Sequence, residues 1–263
     1  LAAVLAALLA EGNVMSGETV LHIQDIQKSF GAVQAVRGVS FDVYRGEVLG
    51  VIGPNGCGKT TLFNCILGQI KPDAGRVSLK GNDVSGWPPS KLALAGLGRT
   101  FQLLQVFTSM TVRENLLAAA QPHKGRIGQQ LFMPPNLGLM PEVDRMITEF
   151  RLGHLAETPA GMLSYGQQKL LDIAMALMGN PDVVMLDEPA GGVNLSMLAD
   201  VKGRLVELNK TRGTTLVIIE HNMEFIFEVA HRILVLAEGQ VLMSGTPDQI
   251  RNDPKVIEAY LGQ

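Results

Sequence analysis

The chain has 263 residues, 46% apolar and 18% charged, with 22 basic against 25 acidic side chains and a net charge of -3. That is chain enough for one large domain or two small ones with a good apolar core. The even, slightly acidic balance excludes a nucleic-acid binder working through a dominant basic face.

The chain opens on an apolar run, Leu1 to Ala10. It is the longest candidate membrane span and falls far short of the roughly 18–20 residues needed. It also lacks the basic flank of a secretory signal. Residues 1–15 read as an extension ahead of the domain, a start-site artefact or a short interaction helix. Alternating apolar patterns at Val20–Ile26, Val39–Val43 and Arg76–Lys80 follow, with turn signals at Arg45-Gly46 and Lys80-Gly81-Asn82-Asp83. They predict an antiparallel sheet near the N-terminus. Continuous apolar runs at Val48–Ile52, Val183–Leu186, Leu216–Ile219 and Ile233–Leu236 predict parallel strands buried on both faces. Helical periodicity falls at Lys59–Leu67, Val112–Ala120, Glu142–Phe150, Gly166–Met178, Met197–Lys210 and Met223–Ala230. Since about 103–178 is nearly all helix, the pattern predicts an α/β core interrupted by a helical subdomain. Cys57 and Cys65 make no disulfide framework, and a reducing, cytosolic compartment fits.

Between the strand Val48–Ile52 and the helix beginning at Lys59 lies Gly53-Pro54-Asn55-Gly56-Cys57-Gly58-Lys59-Thr60, which matches the phosphate-loop pattern. Its glycines let backbone N–H groups curl around phosphate oxygens, aided by the helix N-terminus. Lys59 would reach the β- and γ-phosphates, and the Thr60 hydroxyl would hold Mg²⁺. Thr61 completes the predicted nucleotide contacts. The alternative, a glycine-rich turn with a stray lysine, leaves the strand-before and helix-after context unexplained. Cys57 lies inside the loop, so a thiol reagent is expected to inactivate the protein and ATP to protect it.

Farther along, Leu163-Ser164-Tyr165-Gly166-Gln167-Gln168 opens a helix. Ser164 reads either as an ordinary N-cap or, with Gly166 and Gln167, as part of a second anion site. The strand Val183–Leu186 ends on Asp187-Glu188. Such a strand can simply enter a solvated turn. Beside a phosphate loop, Asp187 can instead hold Mg²⁺ through water while Glu188 polarises the attacking water as general base.

A phosphate loop, the Leu163–Gln168 segment, Asp187-Glu188 and His221 after the next strand stand in the order of the ABC ATPases, which the chain resembles from about residue 18 to its end. The resemblance implies an α/β P-loop NTPase (RecA-like) core with an N-terminal antiparallel β subdomain and an inserted helical subdomain. The ABC ATPase domain would span 16–263. It also implies that ATP is sandwiched between two subunits, with the phosphate loop of one facing the Ser164–Gln167 signature of the other. By the same resemblance, Phe30 stacks on adenine, Gln102 senses Mg²⁺ and the attacking water, and His221 contacts the γ-phosphate. Gly192-Val193-Asn194 matches the loop linking the two sites, except that many relatives carry Asp where Asn194 stands.

Tyr165 in the signature, Gly98-Arg99-Thr100-Phe101-Gln102, Met110-Thr111-Val112-Arg113-Glu114-Asn115, Asp187-Glu188-Pro189-Ala190-Gly191 and the tail Pro254–Gly262 look like the ATP-binding subunits of branched-chain amino-acid importers. The implied partners are a second ATP-binding subunit, self or paralogue, two membrane permeases and, indirectly, an extracytoplasmic solute-binding protein, with no nucleic acid. The implied place is the cytoplasmic face of the inner membrane. Motors of urea or amide importers are very similar. A lipopolysaccharide-export ATPase shares the tail style but would carry Gly at position 165. A soluble ABC ATPase would carry two halves or a long insert.

Overall fold

The computed structural model describes residues 17–100, 105–120 and 138–261. Strands β1 (Thr19–Phe30) and β2 (Val33–Tyr44) form a long antiparallel hairpin, to which β4 (Ala74–Leu79) and β5 (Asn82–Asp83) add in the order β2-β1-β4-β5. The alternation in β1 is legible only to Ile26 because the register shifts between Ile23 and Ile26, where Asp25 takes φ 48°. A bulge of this kind breaks the period of two without ending the strand.

The second sheet runs β10-β9-β3-β8-β7-β6. Its members are β3 (Val48–Ile52), β6 (Leu97–Arg99), β7 (Val183–Asp187), β8 (Thr215–Ile219), β9 (Arg232–Ala237) and β10 (Gln240–Gly245). All pairings are parallel except that of the edge strand β10 with β9. Every residue of β3, β7 and β8 is buried, as expected of strands covered on both faces.

Alternate residues divide two cores. Leu49, Val51, Met185 and Val217 face a cluster shared with the antiparallel sheet and with α1 (Lys59–Ile66). Phe63 of α1 is 1% exposed in that cluster, and truncating it to alanine would cost about 3–5 kcal/mol. Ile52, Leu186 and Ile218 face the opposite cluster, with α6 (Leu195–Arg212), α7 (Met223–Val229) and the tail helices α8 (Pro247–Arg251) and α9 (Pro254–Leu261). Glu47, fully buried, accepts the Arg232 Nε at 2.7 Å and the Tyr44 N–H at 2.8 Å, tying the β2–β3 junction to β9.

A short helix, α2 (Pro89–Ala95), precedes β6. Between β6 and β7 the chain leaves the sheet for α3 (Val112–Ala120), α4 (Met140–Glu149), two 3₁₀ turns and α5 (Tyr165–Leu177). Asn115, completely buried, accepts the Phe107 N–H at 2.7 Å and donates to the carbonyls of Phe107, Met110 and Thr111. That one amide fixes the turn ahead of α3. Arg113 then braces α3 to Asp144 of α4 and to Glu157.

Candidate functional site

Topology brings the predicted residues together. Strands β3, β8, β7 and β6 are parallel neighbours, so their C-terminal ends share one edge of the sheet. Ligands of open α/β sheets bind at such an edge. The phosphate loop leaves β3, Glu220-His221 leaves β8, Asp187-Glu188 ends β7, and Arg99-Thr100 ends β6. Gln102 lies outside the described residues.

In the loop, Asn55 and Gly56 are exposed at the tip, while Gly53, Pro54 and Cys57 are buried. Gly58 takes φ 101°, and a Cβ there would fall 2.1 Å from the Ala35 carbonyl oxygen of β2. Only glycine allows both that conformation and that approach. Lys59, itself 9% exposed, donates its Nζ to the carbonyls of Gly53 at 2.6 Å and Pro54 at 2.9 Å. The Cys57 Sγ lies 3.8 Å from the same nitrogen. Thr60 is exposed in the first turn of α1 and Thr61 is half-buried behind it. The contact of Ala35 with Gly58 hangs the β1–β2 turn over the loop. There Phe30 is half exposed, with Lys28 Nζ 5.6 Å from its ring centre. Cys65, by contrast, is a packing residue of α1 whose thiol burial pushes up to about 11.

Asp187 is 8% exposed, and its N–H donates to the Thr100 Oγ1 at 3.2 Å. Burial raises its pKa, as does neighbouring Glu188, against the opposing charges of Arg99, Lys169 and Lys59. A buried carboxylate at the strand end, close enough to feel the Lys59 charge, is of the type that could hold Mg²⁺ together with a hydroxyl such as that of Thr60. Glu188 leaves the strand at φ 49°, its N–H held by the Ile219 carbonyl at 3.0 Å. That conformation costs about 1–2 kcal/mol in a non-glycine residue, and it turns the Glu188 side chain away from the strand alternation. His221, 61% exposed, places Nδ1 3.7 Å from the Glu188 Oε1. This is beyond hydrogen-bond range.

Glu220 is the residue the sequence reading missed. Completely buried, it accepts the Ala190 N–H on one oxygen at 2.6 Å. Its other oxygen accepts the N–H groups of His221 at 3.0 Å and Asn222 at 3.1 Å. One carboxylate therefore fastens the loop after Glu188 to the loop carrying His221. Burial raises its pKa against those three amide bonds. The signal was available: an acidic residue closing a fully apolar strand, as Asp187 does.

Ser164 caps α5 with a capping box, Gln167 Oε1 accepting the Ser164 N–H at 2.9 Å and Ser164 Oγ accepting the Gln167 N–H at 3.4 Å. Gly166 packs on Met197 and the Tyr165 ring on Gly192, so the signature rests against the start of α6. Asn194 is the N-cap of α6, its Oδ1 accepting the Met197 N–H at 2.9 Å and the Ser196 hydroxyl at 2.8 Å. Amide and carboxylate both serve as N-caps, so the departure from Asp keeps the helix start intact.

With this geometry in place, the known proteins decide the family. The ABC transporter family model matches residues 36–191. This chain belongs to the ABC transporter family. A second model, the branched-chain amino acid ATP-binding cassette transporter, matches 240–263. The high-affinity branched-chain amino acid transport ATP-binding protein BraF of Pseudomonas aeruginosa is 38% identical over 250 residues, covering 93% of this chain and 98% of BraF. LivG of Escherichia coli K12, which bears the same description, is 38% identical over 252 residues, or 94% of this chain and 99% of LivG. Among solved structures, the ADP conformation of MJ1267, an ATP-binding cassette of an ABC transporter, superposes with TM-score 0.83 at 36% identity, covering 93% of this chain and 99% of that one. The chain is thus an ABC ATPase of the branched-chain amino acid transport group, in which ATP hydrolysis drives transport. ABC cassettes dimerise and form complexes with transmembrane subunits. Among the described residues, no helix is long and apolar enough to cross a membrane.

Proposed function

We propose that this chain is the motor subunit of an importer for branched-chain or other hydrophobic amino acids. The observation that carries the solute class is the tail match over 240–263 within a near full-length likeness to branched-chain relatives. Residues 16–263 act as one ATPase domain, with a helical subdomain over about 103–178 and residues 1–15 outside it. Two such subunits close face to face. Gly53 to Thr61 of one and Ser164, Gly166 and Gln167 of the other enclose each ATP, with Phe30 stacked on its adenine. Lys59 leaves its loop carbonyls for the β- and γ-phosphates. Thr60, Gln102 and Asp187 hold Mg²⁺, which when bound neutralises charge on the phosphate oxygens. Glu188 takes a proton from the attacking water, and His221 and Gln102 position water and γ-phosphate. Opening and closing rock two membrane permeases at the cytoplasmic face of the inner membrane, through the groove near 102–120, and a solute-binding protein delivers the amino acid on the far side.

The test is uptake by vesicles in which this chain is reconstituted with two branched-chain-type permease subunits and a solute-binding protein. ATP-dependent accumulation of labelled leucine, isoleucine and valine, abolished by Lys59→Ala, is the expected result. Transport of urea or an amide with no leucine uptake would replace this solute assignment while leaving the motor role intact.

A further inference from the structure

Strand β1 keeps β2 beside it as far as Phe30, but its ladder with β4 ends at Gln27, opposite Ala74. Beyond that point β4 no longer pairs with the last residues of β1, Lys28, Ser29 and Phe30. The β2 side is uneven there too, with a register shift between Lys28 and Ser29. Gly31 then turns at φ 59°, and a Cβ on it would meet nothing within 4 Å. A hairpin tip left to itself in this way would swing, and the half-exposed Phe30 ring with it.

Asp73, the residue just ahead of β4, takes the strand's place. Its own N–H donates to the Gln27 carbonyl at 2.8 Å. One carboxylate oxygen accepts the Ser29 N–H at 2.7 Å, and the other accepts the Lys28 Nζ at 2.7 Å. The amide next to Phe30 is thereby tied, by a charge-assisted bond, to the segment that leads into β4. The Lys28 side chain, only 16% exposed, reaches this carboxylate with its ammonium 5.6 Å from the Phe30 ring centre, inside cation–π range. Backbone and ring are therefore held from the same carboxylate.

A stacking surface adds its full affinity only when it is in place before the base arrives, since ordering it on binding costs part of the gain. We propose that Asp73 and Lys28 are positioning residues for the nucleotide base, presetting Phe30 by holding the Ser29 amide and flanking the ring. Given the stacking of adenine on Phe30 proposed above, on which this role depends, both act through Phe30 and not on phosphate. A ligand made of phosphate alone gains nothing from them.

The test measures binding of ADP and of inorganic pyrophosphate, each with Mg²⁺, by calorimetry to the unsubstituted protein, Asp73→Ala, Phe30→Ala and the double variant. Asp73→Ala is expected to weaken ADP about 3- to 10-fold and to leave pyrophosphate unchanged. In the Phe30→Ala background the same substitution is expected to change ADP affinity hardly at all. Loss of ADP and pyrophosphate together, or an Asp73 effect undiminished without Phe30, overturns the proposal as a general loosening of the sheet. If Phe30→Ala weakens ADP and Asp73→Ala does not, the proposal falls and the stacking stands. If Phe30→Ala leaves ADP affinity intact, the stacking falls and the proposal with it.

Discussion

Replacing Asp172 with asparagine should make the protein more stable at neutral pH, and the gain should disappear in acid. Asp172 sits on α5, 4% exposed, with one carboxylate oxygen accepting the Gln105 N–H at 3.4 Å and the other without a partner. Lys169, also buried, and Arg99 favour its ionised form, but burial outweighs them and lifts the carboxyl from 3.8 to about 6. An acid whose pKa rises on folding binds its proton more tightly in the native state. Its contribution to stability is fully present below the unfolded value and is lost as pH climbs through the folded one. At about 1.4 kcal/mol per pH unit, the ionised carboxylate costs the native state about 3 kcal/mol at pH 7. Asparagine has the shape of the neutral acid, keeps an acceptor for Gln105 and has no charge to desolvate. Asp172→Asn should therefore recover about 1–3 kcal/mol at pH 7 in urea denaturation, and the two proteins should converge near pH 4. A variant less stable at pH 7, with the same deficit at pH 4, would refute this reasoning and show that Lys169 depends on the charge.

Other substitutions probe the site's scaffold. Glu220→Gln sets an NH₂ donor or a lost charge against the N–H groups of Ala190, His221 and Asn222. It should cost about 1–3 kcal/mol in denaturation and lower kcat more than ATP affinity; unchanged kcat would mean that the two loops hold themselves. N-ethylmaleimide should modify Cys57 slowly, since it is 5% exposed, with inactivation following modification and ATP slowing both. Complete modification with nucleotide binding intact would reject that expectation. Asn194→Ala should cost about 1 kcal/mol through the lost α6 cap, and Asn194→Asp almost nothing; equal losses in both would point to a role for the amide itself.

The central sheet was legible because its strands are uninterrupted apolar runs, and the phosphate loop because its glycines obey a spacing that backbone geometry enforces. Helix α5 began one residue earlier than its periodicity suggested, since Ser164 caps it and Tyr165 already takes helical torsions. Strand β6 escaped notice because Leu97–Arg99 is only three residues long and holds its place by pairing with β7, a contact far away in sequence. Helices α8 and α9 are short and held by Ile250 and Val256 in the core rather than by a long amphipathic stripe. Glu220 stood in view as an acid closing an apolar run, but what it does comes from tertiary structure, which sets the Ala190 amide beside it from another strand end.

The most direct test of a composite ATP site with Glu188 as its base is gel filtration of Glu188→Gln with and without ATP and Mg²⁺, with bound nucleotide counted in each peak. The account predicts turnover reduced by about 10²–10⁴ and an ATP-dependent shift from monomer to a dimer holding two unhydrolysed ATP. ATP held by a species that remains monomeric would assign the mate to a different subunit or closure to the permease; turnover at the unsubstituted rate, or no bound ATP at all, would contradict the account.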